Sequence, residues 1–287
     1  MSKRRKQRRH KARKKSGKAA KTRGPKKAET ADRHVLYEAS VQDAEAEIEF
    51  MEEVFEALRN RPARVLREDF CGTANVACKW TQRHDENQAY AVDIDPSVLA
   101  WGRERHYAAL SEAARERVEF IEGDVTQATT PGADVAVALN FSYMIFMTRD
   151  RLREYFRHLR SNLNPEGIFI IDVFGGSEAI EEMRERRKCE GFTYVWDQAE
   201  YDPISADITC HIHFEFPDRS KLDKAFTYHW RLWTLPELRE LLAEAGFSKS
   251  TVYWQGEDED GEGDGEFEPV TRGDADPAWI CYIVAEN

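Results

Sequence analysis

No run of about 18 apolar residues occurs in the 287-residue sequence, so no transmembrane helix and no membrane partner are expected. The N-terminus also lacks the apolar stretch of a signal peptide. A cytoplasmic location is therefore expected, or a nuclear one in a nucleated cell. Cysteine is scarce. Cys71, Cys78, Cys189, Cys210 and Cys281 are an odd number with no C-x-x-C spacing, which fits free thiols in a reducing compartment better than a disulfide framework. There is no G-x-G-x-x-G and no P-loop lysine, so phosphate binding by either motif is unsupported. Acidic residues are missing from residues 1–27, which hold fifteen Lys or Arg; the remainder has 27 basic against 53 acidic residues.

That imbalance divides the chain. Residues 1–30 read as a disordered polybasic tail without apolar periodicity, unable to bury enough surface to offset its ordering entropy. The tail suits either a nucleic-acid or ribosome contact through released counterions, or a solubilising role beside an acidic domain. Hydrophobic residues make up 41 % of the chain, enough for one large α/β domain or two small ones.

Ordered sequence is expected from about Tyr37. Ala44, Ile48, Met51, Phe55 and Leu58 recur at helical spacing and give one apolar face. Strands are expected at 63–66, 89–92, 118–121, 133–139 and 168–174, the last two almost continuous apolar runs, as in strands covered on both faces. Between them lie a helix from Asn75 to about His84, a helix from Asp95-Pro96 to about Arg117, and a stripe of Leu152, Tyr155, Phe156, Leu159 and Leu163. Thr234 and Glu237 form a capping box for a further helix, with Gly246 as its C-terminal cap. Strands at 250–254 and 279–284 complete seven. The acidic, glycine-rich segment at about 256–276 between them reads as a mobile loop. Alternation of strands and helices implies a doubly wound, mostly parallel α/β sheet with right-handed crossovers. Three β-rich runs (192–201, 207–216 and 225–233) follow one another without a helix. They read as an antiparallel insertion, at about 190–233, placed to cover a ligand at the strands' carboxyl ends as a lid.

The turn Glu68-Asp69-Phe70-Cys71-Gly72-Thr73-Ala74 joins the first strand to its helix, where glycine lets a ligand approach backbone N–H groups. Asp93 ends the second strand and suits a ribose diol; Asp124 ends the third and suits an adenine amino group. Taken singly, each acid reads equally as a helix cap or a surface carboxylate. Residues 66–74, Leu-Arg-Glu-Asp-Phe-Cys-Gly-Thr-Ala, resemble the first motif of class I (Rossmann-like) S-adenosylmethionine-dependent methyltransferases, and the order of elements from Tyr37 onward resembles that superfamily's seven-stranded sheet. The resemblance implies a methyltransferase domain over 31–287 with S-adenosylmethionine as cofactor. It implies that Glu68 and Gly72, with Phe70, Cys71 and Thr73 in the same turn, hold the methionine moiety. It implies that Asp93, with Ile94, binds the ribose, and that Asp124, with Val125, binds the adenine. Phe70 and Ala74 replace the family's first and third glycines, so the turn is expected to bend differently. A family-type metal site is missing and no metal is expected.

Asn140, Phe141, Ser142 and Tyr143 follow the fourth strand, where related enzymes place acceptor-facing residues. Asn140 is counted with both cofactor and acceptor, Tyr143 with the acceptor. Asn140 is not followed by Pro-Pro-Tyr, which argues against the amino-methylating nucleic-acid enzymes. His229, on an expected lid strand, is the candidate general base because its ring titrates near neutrality. His211 and His213 share a strand face beside Cys210, which reads either as part of a metal cluster or as ordinary sheet polarity. Tyr37 and Gln42 either close over the cofactor or pack at the helix entry. Trp230, Trp233 and Trp254 read as packing, or as an aromatic cage for a cationic amine. The expected activity is methyl transfer to N or O of a small molecule. The alternatives are a protein or RNA methyltransferase tethered by the basic tail, and a non-catalytic S-adenosylmethionine-binding scaffold.

Overall fold

The apolar runs at the centre of the sequence form the centre of the sheet. The computed structural model describes residues 24–257 and 263–287. In it β1 (Val65–Asp69), β2 (Gln88–Asp93), β3 (Val118–Glu122), β4 (Ala133–Ala138) and β5 (Leu163–Gly175) run parallel in the order β3-β2-β1-β4-β5. In β4, Val135 and Val137 pack on one face while Ala136 and Ala138 pack on the other, because successive strand side chains alternate. A strand covered on both sides has no solvent face, hence a sequence apolar except for Asp134, which accepts from Arg64 and Val65 N–H at the start of β1.

Helices cover both faces. The helices α3 (Ala44–Arg59) and α4 (Asn75–Arg83) bury Ile48, Met51, Phe55 and Trp80 on one side. The helices α7 (Arg149–Arg160) and α8 (Leu235–Ala245) bury Leu152, Phe156, Leu238 and Leu242 on the other. Each such side chain stabilises the fold by about 1.5–3 kcal/mol. The Thr234–Glu237 capping box forms, and Gly246 takes the left-handed cap at φ 101°.

Four boundaries differ from the sequence reading. The helix after β2 stops early, as α5 (Pro96–Arg105), because Ser111 is extended and caps the separate short helix α6 (Glu112–Arg115) through Ala114 N–H. Regular structure begins before Tyr37. Two short helices, α1 (Lys27–Thr30) and α2 (Arg33–Glu38), lie against the insertion, where Lys27 N–H donates to Asp218 and Ala28 N–H to Ser220. Residues 27–30 thus depart from the expected tail, whose residues 1–23 lie outside the described residues. The insertion contains four strands rather than three: β6 (Met183–Cys189), β7 (Phe192–Asp202), β8 (Asp207–Glu215) and β9 (Lys221–Arg231), all antiparallel. The highly charged β6 (Met-Arg-Glu-Arg-Arg-Lys-Cys) is an edge strand and has no apolar alternation to betray it.

The central sheet continues antiparallel from β5 through β12 (Trp279–Glu286) to β10 (Lys249–Glu257). An eighth strand, β11 (Gly263–Val270), pairs with β10 inside the segment expected to be a loop. Phe267 anchors it, its ring 5.7 Å from Phe50 and 4.5 Å from Tyr282. Among the described residues, no helix is long and apolar enough to cross a membrane.

Candidate active site

The turn between β1 and α4 is built from left-handed residues. Phe70, Gly72 and Ala74 have φ of 56°, 53° and 56°. The two replacements for glycine therefore keep the conformation that glycine favours, contrary to the expectation of a different bend, at a cost of about 1–2 kcal/mol each. Three contacts hold them. The Phe70 ring packs on Phe146 and Tyr155 at 6.1 and 5.7 Å, Cys71 N–H donates to Val92 C=O, and Gly72 N–H donates to Asp93 Oδ2 at 2.8 Å. The helix α5 presses on the turn at Gly102, where an added Cβ would sit 2.1 Å from Thr73 O.

The expected cofactor residues divide by position. The buried Glu68 carboxylate accepts from Ala77 N–H at 2.9 Å, capping α4 from the strand, and burial pushes its pKa well up. Asp93 accepts from Gly72 N–H and from Asp95 N–H at 2.9 Å, one on each oxygen, and burial raises its pKa. Each of those oxygens retains a second acceptor position. Asp124 accepts twice from Thr126, through its hydroxyl and its N–H, and these bonds lower its pKa. Asp124, Val125, Ile94 and Phe70 line one cavity of about 420 Å³ beyond the ends of β2 and β3. Ile94 is 70 % exposed, an apolar side chain left uncovered beside this cavity. Cys71 is buried packing, its thiol pushed up by burial. The Thr73 hydroxyl donates to Glu38 at 2.5 Å, which also holds His106 Nε2 at 2.7 Å, tying α2 over the turn.

A second cavity, of about 780 Å³, lies between the insertion and the sheet ends. Asn140, Phe141, Phe174, Trp196, Tyr228 and Trp230 all face it. Asn140 and Phe141 are left-handed (φ 55° and 58°), and both N–H groups donate to Asp172, at 2.8 and 2.9 Å. Burial pushes Asp172 up to about 7 against those two bonds.

Two acceptor-side expectations, for His229 and Tyr143, change. His229 lies on the outer, exposed face of β9, beside Thr209 over a separate hollow of about 450 Å³. Strand alternation turns Tyr228 and Trp230 inward and His229 outward. Tyr143 is fully buried, with an unpartnered hydroxyl, and does not line the cavity. His211 pairs with Thr227, while His213 lies between Asp197 and Asp223. Tyr37 lines the cavity and Gln42 accepts from Asn75 at 3.4 Å, so both stand at the helix entry beside the site.

One residue escaped the sequence reading. Glu47, in the first turn of α3, brings its carboxylate among Glu68, Asp172 and Asp43. Burial, then Asp172 and Asp43, pushes it up to about 8 against the pull of Lys79. The signal was present: an Ala44–Leu58 apolar stripe whose neighbouring Glu47 lies on the flank, not on the opposite solvent face. Among the described residues, none of Glu47, Glu68, Asp93 and Asp172 has a Lys or Arg nitrogen within 4.0 Å. The strand ends therefore gather carboxyl groups without a basic partner, and burial favours their protonated form.

Cavities at the carboxyl ends of an open, mostly parallel sheet lie where α/β folds of this kind bind ligands. Residues 70–167 match the family model described as a methyltransferase domain. No curated protein matches the chain. Several solved structures are similar. A S-adenosylmethionine-dependent methyltransferase from Clostridium acetobutylicum is 14 % identical, with 88 % of this chain and 96 % of that chain covered and a TM-score of 0.65. An amino pentose methyltransferase of calicheamicin biosynthesis from Micromonospora echinaspora is 14 % identical, with 88 % and 95 % covered and a TM-score of 0.61. A sugar N-methyltransferase from Streptoalloteichus is 16 % identical, with 90 % and 93 % covered and a TM-score of 0.60. A methyltransferase domain is thus matched over residues 70–167, and the chain as a whole shares the fold of these methyltransferases.

Proposed function

We propose that this chain transfers a methyl group from S-adenosylmethionine to a nitrogen or oxygen of a small-molecule acceptor held under the lid. The observation that carries the reading is the cavity beyond the ends of β2 and β3 that Asp124, Val125 and Ile94 line together. A carboxylate acceptor and an exposed apolar side chain in one cavity suit the polar edge and the flat face of a nucleoside base. Asp124 and Val125 suit the adenine edge, Ile94 its face, and Asp93 the ribose hydroxyls. The second cavity supports a small acceptor because it is enclosed by the insertion and walled by aromatic faces. Similar structures include an amino pentose methyltransferase, a sugar N-methyltransferase and a glycopeptide N-methyltransferase, which favours the same class.

S-adenosylmethionine supplies an already activated methyl group. The residues of the chain align the acceptor atom with it and keep water out. Asn140 and Phe141, fixed by Asp172, form the wall of the acceptor cavity at the end of β4, next to the strand that leads into the cofactor turn. Calorimetric titration with S-adenosylmethionine and S-adenosylhomocysteine tests the reading, followed by labelled methyl transfer to a panel of amino sugars and hydroxylated small molecules. Saturable heat and label in a small acceptor are expected. A folded sample giving no heat with either nucleoside overturns it.

A further inference from the structure

The cavity between lid and sheet holds one carboxylate whose place is fixed and whose charge has no partner. Glu178 follows β5, the strand whose Asp172 braces Asn140 and Phe141. Its backbone is pinned on both sides. Glu178 N–H donates to Pro277 C=O at 2.8 Å, and Glu178 C=O accepts from Gln198 Nε2 at 2.8 Å. Gly176, at φ 105°, lets the chain pass Pro277, whose oxygen an added Cβ would meet at 2.2 Å. Gln198 belongs to the lid strand β7, and its Oε1 accepts from the Trp196 indole N–H at 3.5 Å. One amide thus ties Glu178 to an aromatic wall, in which Trp196 lies 6.2 Å from Trp230 and Trp230 stacks on Tyr228 at 4.4 Å. The Glu178 side chain is half-buried and lines the cavity. Among the described residues its carboxylate has no hydrogen bond and no Lys or Arg nitrogen within 4.0 Å. The other charges on the lining are matched. Arg186 pairs with Glu215 through both terminal nitrogens, at 2.5 and 3.0 Å. Arg187 donates to Ser40 C=O and lies 5.4 Å from the Tyr194 ring centroid, with Glu185 two residues away on the same strand face.

We infer that the acceptor is a molecule bearing a cationic amine, and that Glu178 with the wall of Trp196, Tyr228 and Trp230 binds its ammonium group. The inference rests on the proposed use of this cavity as the acceptor site. An ammonium brings N–H donors and a positive charge to a carboxylate that has neither. Aromatic rings within about 6 Å attract the same charge, the more so where little water screens it. A neutral hydroxyl group gains one ordinary hydrogen bond there and little from the rings. Glu178 is a binding residue that decides which acceptors enter, and no proton transfer is assigned to it.

The test titrates the full chain, saturated with S-adenosylhomocysteine, with two matched pairs of probes at neutral pH. These are phenethylamine with 2-phenylethanol, and cyclohexylamine with cyclohexanol. In at least one pair the amine is expected to bind about tenfold more tightly than the alcohol, the scale of one charge-assisted hydrogen bond. Glu178→Gln should bring that amine to within about twofold of its alcohol and leave the alcohol unchanged. Glu190→Gln makes the same charge change on an exposed turn residue outside the cavity and should keep the preference. S-adenosylhomocysteine binding by each variant shows that it is folded. No preference for the amine in either pair, a preference that survives Glu178→Gln, or one lost equally in Glu190→Gln overturns the inference and leaves the cofactor reading intact. Failure of the unaltered protein to bind S-adenosylhomocysteine sinks both.

Discussion

Arg67 Nε lies 2.8 Å from Asp69 Oδ1, and neither side chain is exposed to solvent. The two stand on the same face of β1, two residues apart. Arg67 also donates to Ala128 C=O at 2.9 Å and to Val125 C=O at 3.4 Å, while Tyr155 donates to Asp69 at 2.9 Å. The pair thereby pins the segment that presents Asp124. Arg67→Met and Asp69→Asn should each destabilise by about 3–5 kcal/mol, since either strands a buried charge. The double variant Arg67→Met with Asp69→Asn should lose less than the sum. Urea unfolding reads all three, and additive losses would refute a coupled pair.

Gly102 is fixed by distance rather than by backbone angle. Its absent Cβ leaves room for Thr73 O, which a methyl group would meet at 2.1 Å. Gly102→Ala must move α5 or the turn, at a cost of about 1–3 kcal/mol. Because the displaced group belongs to the cofactor turn, nucleoside affinity should fall with stability. A variant with an unchanged melting temperature and unchanged S-adenosylhomocysteine affinity would show that the contact is loose.

Stability should depend on pH through the acidic rim. Burial pushes Glu47 up to about 8 and Asp172 up to about 7, and raises Glu68. The groups facing Glu47 are Asp43, Asp172, Glu68, Tyr37 and Tyr282, with Lys79 opposing. These carboxyls hold protons in the folded state that the unfolded chain gives up near pH 4. Their contribution is whole below about pH 4 and drains away as pH rises to about 8. The free protein should therefore melt lower at about pH 8 than at about pH 6. Nucleoside binding near neutrality should release protons, read by calorimetry in buffers of different ionisation enthalpy. A flat melting profile with no proton release would contradict the raised values.

On the lid strand, neighbouring residues should behave oppositely. His229→Ala is expected to leave turnover unchanged, because His229 faces outward beside Thr209. Trp230→Ala removes a wall of the acceptor cavity, stacked on Tyr228 at 4.4 Å. It should raise the acceptor KM severalfold to roughly tenfold with little effect on nucleoside binding. Steady-state kinetics on the identified acceptor distinguish the two.

Local chemistry fixed much of this molecule in advance. Runs at 133–138 and 168–173, apolar but for Asp134 and Asp172, suit strands buried on both faces, and Thr234, Glu237 and Gly246 set the ends of their helix without help from distant residues. Tertiary structure decided the remainder. Strand β6 exists because β7 supplies its partner, and β11 because Phe267 finds Phe50 and Tyr282. The inward or outward direction of His229 follows from how the lid docks, which a period of two leaves open. Nor does any local pattern reveal that Glu47 ends without a partner: a buried charge acquires its meaning from groups far along the chain, and only folding brings them within reach.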